Sequence, residues 1–122
     1  MGISVLAFPV VQDRLGDLRA MLNDLNGARH EQTAAIHDRA GVHERGYLQG
    51  LPDGRWLYVA VFESDDSASA LQRVMQANAS DQDYGPWIFD RLQHVFQMDP
   101  SQGIPPTAEF VYDSSVRVAV PT

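Results

Sequence analysis

The chain has 122 residues, of which 44% are hydrophobic and 20% charged, and its formal net charge at pH 7 is −7. This length and balance predict a single globular domain over residues 1–122. The negative charge argues against nucleic acid and membranes as partners, because phosphate backbones and anionic lipids would be repelled. The absence of cysteine excludes thiol nucleophiles, thiolate metal sites and disulfides.

All nine basic residues are arginine, so the chain has no lysine. A Schiff base on a side chain is therefore excluded, and with it the attachment of pyridoxal phosphate. No nucleotide-binding loop is visible, and we expect no flavin, no haem and no other cofactor. The sequence starts without a secretory signal and contains no apolar run of membrane-spanning length, so we expect a cytoplasmic protein.

The first third of the chain predicts a strand and two helical pieces. Residues 3–8 are apolar, partly β-branched and followed by a proline, which is typical of a strand. Leucines recur at three- and four-residue steps over residues 15–25, with charged residues between them, which indicates an amphipathic helix. Gly27 interrupts the pattern, and residues 29–39 predict a second helical piece that stops at Gly41.

The middle of the chain predicts a hairpin followed by two helices. Residues 42–51 and 55–62 predict strands, and Pro52-Asp53-Gly54 joins them by a turn, because proline presets φ and glycine accepts positive φ. Apolar stripes over residues 71–75 and 88–96 then indicate two helices. Acidic residues and serines that precede the first of these helices are typical of a helix N-terminus.

The last part of the chain predicts a fourth strand over residues 108–112, and an edge strand or a tail over residues 116–120. The order of strand, helix, strand, strand, helix and strand is that of the split β-α-β arrangement. We therefore expect an α+β, ferredoxin-like fold in which helices cover one face of a four-stranded antiparallel sheet.

The predicted strand over residues 55–62 is apolar on both faces. An antiparallel sheet with one solvated face normally alternates apolar and polar residues, and an exposed apolar face forfeits about 25 cal/mol per Å². We therefore predict a homodimer whose interface includes Trp56, Tyr58 and Phe62 or their opposite-face neighbours. The alternatives are a monomer with an unusually apolar face, or a face covered by the tail of the chain.

Residues 41–71, GVHERGYLQGLPDGRWLYVAVFESDDSASAL, resemble the middle of small dimeric α–β barrel proteins. The shared pattern is a Gly-Val-x-x-Glu-Arg segment, a strand ending in Leu-Gln, a Pro-x-Gly hairpin and an apolar strand ending in an acid. Asp83-Tyr84-Gly85-Pro86-Trp87 resembles a helix start in the same branch of that superfamily. The resemblance implies two sheets packed into a barrel, with a cavity in each protomer between the sheet and the helices.

Enzymes of that superfamily include cofactor-free monooxygenases, polyketide cyclases, haem-degrading enzymes and muconolactone-type isomerases, so the resemblance implies no single reaction. We expect a small-molecule-binding protein, acting as a cyclase, isomerase or monooxygenase on a polyketide-like or aromatic metabolite by acid–base chemistry. The alternative is a non-catalytic dimer that binds a metabolite or serves as an accessory module.

One polar row on the second predicted strand carries the candidate chemistry. His43, Arg45, Tyr47 and Gln49 alternate onto one face and supply an acid or base, a fixed cation, a phenol and an amide. We predict that His43 and Tyr47 are catalytic and that Arg45 and Gln49 bind the substrate. The alternative is that this row is the solvated face of the sheet, with Arg45 and Glu44 paired across strand ends. A one-residue change of register would move all four side chains together.

Three further residues complete the expected site. Tyr58 on the neighbouring strand would line the same cavity, between the sheet and the helices, and Trp87 or His94 would lie at its mouth. A core position for Trp87 and a partly exposed helical position for His94 are the alternatives.

The remaining histidines give no metal site. His30 and His37 are seven residues apart and lack the spacing of a zinc-protease helix. The acids nearby form no recognised ligand pattern, so we expect no metal.

Overall fold

A computed structural model describes residues 2–98 and 105–117 of the chain. Within these residues the chain is α+β, with three strands and four α-helices. In chain order the elements are β1 (Gly2–Pro9), α1 (Leu15–Asn26), α2 (His30–Ala40), β2 (His43–Gly50), β3 (Trp56–Ser64), α3 (Ala70–Ser80) and α4 (Tyr84–Phe96), with one 3₁₀ turn at Ser67–Ser69.

The three strands form one antiparallel sheet in the order β1-β3-β2. In the central strand, Val61 pairs with Val5 of β1 and with Arg45 of β2, so residues of the same parity lie side by side across the whole sheet. Even-numbered side chains such as Leu6 and Phe62 are buried against the helices. Odd-numbered side chains therefore point to the other side, which we call the open face.

The core lies between the sheet and the helix layer. Each helix turns an apolar stripe towards the sheet, as the leucine spacing of α1 predicts. The most deeply buried side chains come from β1, β3, α1, α2 and α4, and they are Leu6, Phe62, Leu18, Ile36, Tyr84 and Val95.

The passage from α2 to β2 sets which side chains of β2 enter the core. Gly41 ends α2 with φ of 69°, a left-handed conformation that glycine adopts without strain. The next residue, Val42, is buried, and its amide donates to the carbonyl oxygen of His37 at 3.0 Å. Because Val42 points inwards, Glu44 points inwards as well, and its odd-numbered neighbours point outwards.

The predicted fourth strand is wrong. Residues 108–112 have no regular secondary structure, and a single hydrogen bond, from the Ala108 amide to the Val5 carbonyl oxygen at 2.7 Å, joins them to β1. Phe110 and Tyr112 are 66% and 77% exposed. These side chains bury too little area to offset the entropy of ordering a strand, so the sheet has three strands.

The edge strand or tail expected over residues 116–120 lies only partly within the residues that the structure describes. Val116 pairs with Asp113 in an isolated bridge that closes a turn. Residues 118–120 of the expected edge strand or tail lie outside the described residues. No helix in the described part of the chain combines the length and the apolarity needed to cross a membrane.

The junction of α3 and α4 depends on Gly85, because a Cβ at this buried position would overlap the carbonyl oxygen of Asn78. We expect Gly85→Ala to lower the free energy of unfolding by about 1–3 kcal/mol, since backbone cannot move aside as a side-chain tip can. The measurement is urea denaturation followed by circular dichroism.

Gly16→Ala is the matched control, because a Cβ at Gly16 in α1 meets nothing within 4 Å. This change should leave stability unaltered or raise it by about 0.5–1 kcal/mol, owing to the higher helix propensity of alanine. Equal stability of the two variants would contradict the close packing of α3 against α4.

Candidate functional site

A cavity of about 70 Å³ lies between the helix-facing side of the sheet and all four helices. Most of its wall is apolar and includes Met21, Met75 and Met98, whose flexible side chains adapt to different shapes. Polar side chains also reach the wall, mainly from α2, β2, β3 and the start of α4. They are Thr33, His37, Glu44, Tyr58, Asn78 and Tyr84.

Tyr58, Glu44 and His37 form a continuous chain of hydrogen bonds, which we call the triad. The Tyr58 hydroxyl donates to Glu44 Oε2 at 2.7 Å, and Glu44 Oε1 lies 2.8 Å from His37 Nε2. His37 Nδ1 lies 2.8 Å from the carbonyl oxygen of Thr33, in the preceding turn of α2. The triad thus links α2, β2 and β3 at one side of the cavity.

The geometry favours a protonated His37. Its Nδ1 faces a carbonyl oxygen, which can only accept, and its Nε2 faces a carboxylate. Burial acts to lower the pKa of His37, but the hydrogen bond and charge of Glu44, with the Thr33 carbonyl and the charge of Asp38, raise it above its ordinary value overall. Below the folded-state pKa of His37 both ring nitrogens therefore donate, and the pair is an imidazolium against a carboxylate.

Tyr58 is held as a neutral donor. Burial raises the pKa of its hydroxyl, and the charge of Glu44 and the hydrogen bond to it raise the pKa further. Gly46 makes this contact possible, because a Cβ on Gly46 would overlap the Tyr58 phenol. Tyr58 pairs with Leu48 in the sheet, so its side chain runs along β2 over Gly46 to reach Glu44.

A second polar contact joins α2 to α4 beside the triad. The Thr33 hydroxyl donates to the Arg29 carbonyl oxygen at 2.9 Å, and the Tyr84 hydroxyl, 3.0 Å away, donates in turn to Thr33. Burial raises the pKa of Tyr84, and this hydroxyl is neutral as well. Within the triad and this contact, every hydroxyl and imidazole hydrogen has an acceptor.

The triad stands between the cavity and the outside. A groove of about 350 Å³ runs along α2, the end of α1 and the start of β2. The groove and the cavity share five lining residues, and the side chains of His37 and Glu44 remain 19% and 21% exposed. The shared residues are Leu25, Thr33, His37, Glu44 and Tyr58.

The predicted polar row lies on the opposite side of the sheet from this site. His43, Arg45, Tyr47 and Gln49 share one face, but it is the open face, where all four are exposed. A common cavity of Tyr58 with Arg45, Tyr47 and Gln49 is therefore wrong, because Tyr58 faces the helices. His43 borders the outer groove, and Tyr58 lines both groove and cavity. The catalytic and binding roles predicted for the row stay predictions.

Arg45 pairs with Glu63 of β3 across the open face, not with Glu44. The pairing with Glu44 was wrong because consecutive residues of a strand point to opposite faces. Glu63 lies diagonally from Arg45 in the antiparallel pair and opposite His43, within reach of a long side chain.

The other two predicted residues lie away from the cavity. Trp87 on α4 packs against the core, with the Arg29 guanidinium 4.5 Å from its ring centroid, and it is not part of the cavity wall. His94 near the end of α4 is bound to α1: its Nδ1 accepts from Arg14 at 3.1 Å and its Nε2 donates to Asp17 at 2.7 Å.

Sequence reasoning missed Glu44 and His37 as a pair. One signal was present: Val42 and Leu48 are the large apolar residues of this strand, and both have even numbers, as Glu44 does. An apolar even-numbered face predicts that Glu44 is turned inwards, where a carboxylate requires a partner. His37 is the histidine one turn before the end of the preceding helix.

The structure gives no candidate metal centre within the ranges it describes, since no three His, Asp or Glu side chains there are grouped as ligands. Comparison with known protein families and with curated proteins found no match to this chain. The site therefore rests on its own geometry.

The raised pKa of His37 predicts a pH dependence of stability. The protonated ring stabilises the fold fully below about pH 6.5, the ordinary value, and this contribution is lost as the pH rises through the folded-state pKa. We expect NMR titration of the His37 ring to give a pKa above 6.5. The difference in unfolding free energy between the wild type and His37→Gln should shrink from pH 6 to pH 9.

Glu44→Gln should lower the His37 pKa, because it removes the carboxylate charge. Glu31→Gln is the control: Glu31 is an exposed acid on the same helix, more than one and a half turns before His37. A wild-type His37 that titrates below 6.5, or that is unaffected by Glu44→Gln, would contradict the ion pair.

Proposed function

We propose that this protein binds a small, largely apolar molecule at the triad and transfers a proton to and from it, as an isomerase or a cyclase does. The observation that carries the proposal is a carboxylate, an imidazolium and a phenol, already hydrogen-bonded to one another, at the boundary of an apolar cavity. Apolar walls with a few convergent polar groups, some of them with shifted pKa values, are typical of small-molecule sites.

Glu44 is the base in this proposal. Its carboxylate accepts a proton from a C–H or O–H bond of the bound molecule, whose bonding electrons stay on the molecule and shift to a neighbouring atom. Glu44 then returns the proton to a different atom of the same molecule, or His37 donates its own proton and regains one from Glu44 along the hydrogen bond between them, so the site is restored. The product is an isomer of the substrate, so the reaction consumes no oxidant.

The position of the site supports the proposal as well. The resemblance of residues 41–71 to dimeric α–β barrel proteins implies a cavity between sheet and helices, and the triad lies in that layer, though on other residues than the predicted row. A non-catalytic binding protein is the second candidate, because the hydrogens of the triad are already partnered, as in a purely structural network.

Proton transfer can be tested with 2-tetralone, a bicyclic aromatic ketone with an exchangeable hydrogen next to its carbonyl group. In D₂O, the wild-type protein should accelerate deuterium uptake at this carbon, followed by mass spectrometry. Glu44→Gln should slow the protein-dependent exchange by about 10²-fold or more, as for the loss of a general base.

Glu31→Gln should exchange as the wild type does. Exchange no faster than in buffer would contradict the catalytic proposal. Binding of 2-tetralone at the triad without exchange, seen by NMR, would support the non-catalytic candidate instead.

We also propose that a second copy of the chain covers the open face, giving a homodimer. Ile3 and Tyr47 on this face are 61% and 55% exposed, and Val59 and Val61 of the central strand lie between them. Residues 110–112, which follow the contact of Ala108 with β1, add further exposed apolar side chains. An apolar face of this extent suits an isologous contact with its own copy.

Sedimentation velocity at micromolar concentration tests the assembly. We expect a dimer for the wild type and a monomer for Val59→Asp, since a carboxylate in the centre of the contact would be buried without a partner. Gln72→Asp, on the exposed side of α3, should remain a dimer. A wild-type monomer would overturn the homodimer.

A further inference from the structure

The hydrogen-bonding state of the triad restricts the chemical group that it can receive; this inference rests on the proposed function. His37 uses Nδ1–H on the Thr33 carbonyl and Nε2–H on Glu44, at 2.8 Å each. Tyr58 uses its hydroxyl hydrogen on Glu44 at 2.7 Å. The triad therefore has no hydrogen left to donate.

The triad can still accept hydrogen bonds from a ligand. A carboxylate offers about four lone-pair positions, and Glu44 fills one on each oxygen with its two partners among the described residues. The Tyr58 oxygen also keeps a lone pair, because it acts only as a donor here. The triad thus presents acceptors to a molecule that enters from the cavity or from the groove.

We infer that the triad receives its ligand through a neutral O–H or N–H donor, as in a small alcohol, a phenol, an enol or an amide-like N–H, attached to an apolar body. A group that only accepts, such as an ether oxygen or a ketone in its keto form, would lose its water and find no hydrogen at the triad. A cationic ligand would lie beside the His37 imidazolium, and an anionic one beside the Glu44 carboxylate.

The space on both sides of the triad fits this class of ligand. The cavity of about 70 Å³ takes an apolar group of a few heavy atoms, and its methionines can adjust to the shape. The groove of about 350 Å³ takes the remainder of the molecule. For an enolisable ketone, the form that the triad binds more tightly is the enol, which favours enolisation by differential binding.

Cyclohexanol and cyclohexanone are the probes, because they share one carbon frame and differ in whether the oxygen carries a hydrogen. NMR titration, followed at the His37 ring and the amides of Thr33 and Val42, gives the affinity of each. We expect cyclohexanol to bind about tenfold more tightly or better, as for one hydrogen bond to a charged acceptor.

The variant Glu44→Gln places an amide with two hydrogens at the same position, so the preference for the alcohol should fall to about threefold or less. Glu31→Gln should keep the full preference. If the glutamine variant does not fold, the wild-type comparison still decides the matter.

Equal binding of the two probes at the triad, or tighter binding of the ketone, would overturn the donor inference and leave the proposed site in place. Absence of any shift at His37, Thr33 and Val42 with either probe would overturn both. A preference for the alcohol that Glu44→Gln leaves unchanged would also overturn the inference, since the donor would then be bound elsewhere.

Discussion

The ion pair between His37 and Glu44 joins the end of α2 to the start of β2. This contact helps to set which side chains of β2 face the helices and which lie on the open face. The residues are seven apart in sequence, and Gly41 lies between them in a left-handed conformation that turns the chain back on itself. With Glu44 directed at His37, every even-numbered side chain of β2 faces the helices. Removal of one member would leave a largely buried charge unpaired, which costs about 3–5 kcal/mol.

Much of the helical layer and the hairpin could be predicted from the sequence, because both depend on local patterns. The leucine spacing of α1, the break at Gly27 and the turn at Pro52-Asp53-Gly54 act within a few residues. The expected strand over residues 108–112 failed for the opposite reason. Its residues suit a strand, but a strand also requires a ladder of partners and buried side chains, and neither is visible in the sequence of the segment itself.

The candidate site was predictable only in part. Alternation correctly places His43 and Tyr47 on the same face, but alternation alone does not tell which face meets the helices. The burial of Val42 and Leu48, together with the pairing of Glu44 and His37, decides which face meets the helices. The partner of Glu44 comes from a helix and its second donor from another strand, so the group exists only after folding. On the central strand, Tyr58 therefore faces the helices, and its neighbour Val59 lies on the open face.

Gly46 has a consequence for how this protein can change over evolutionary time. Its missing side chain is the space that the Tyr58 ring occupies. Any larger residue at position 46 would displace the tyrosine and remove a donor from Glu44, whereas a small residue at position 58 would relieve the restriction on position 46. The two positions should therefore covary among descendants of this sequence: lineages that retain tyrosine at 58 retain glycine at 46, and lineages that lose one are free to lose the other.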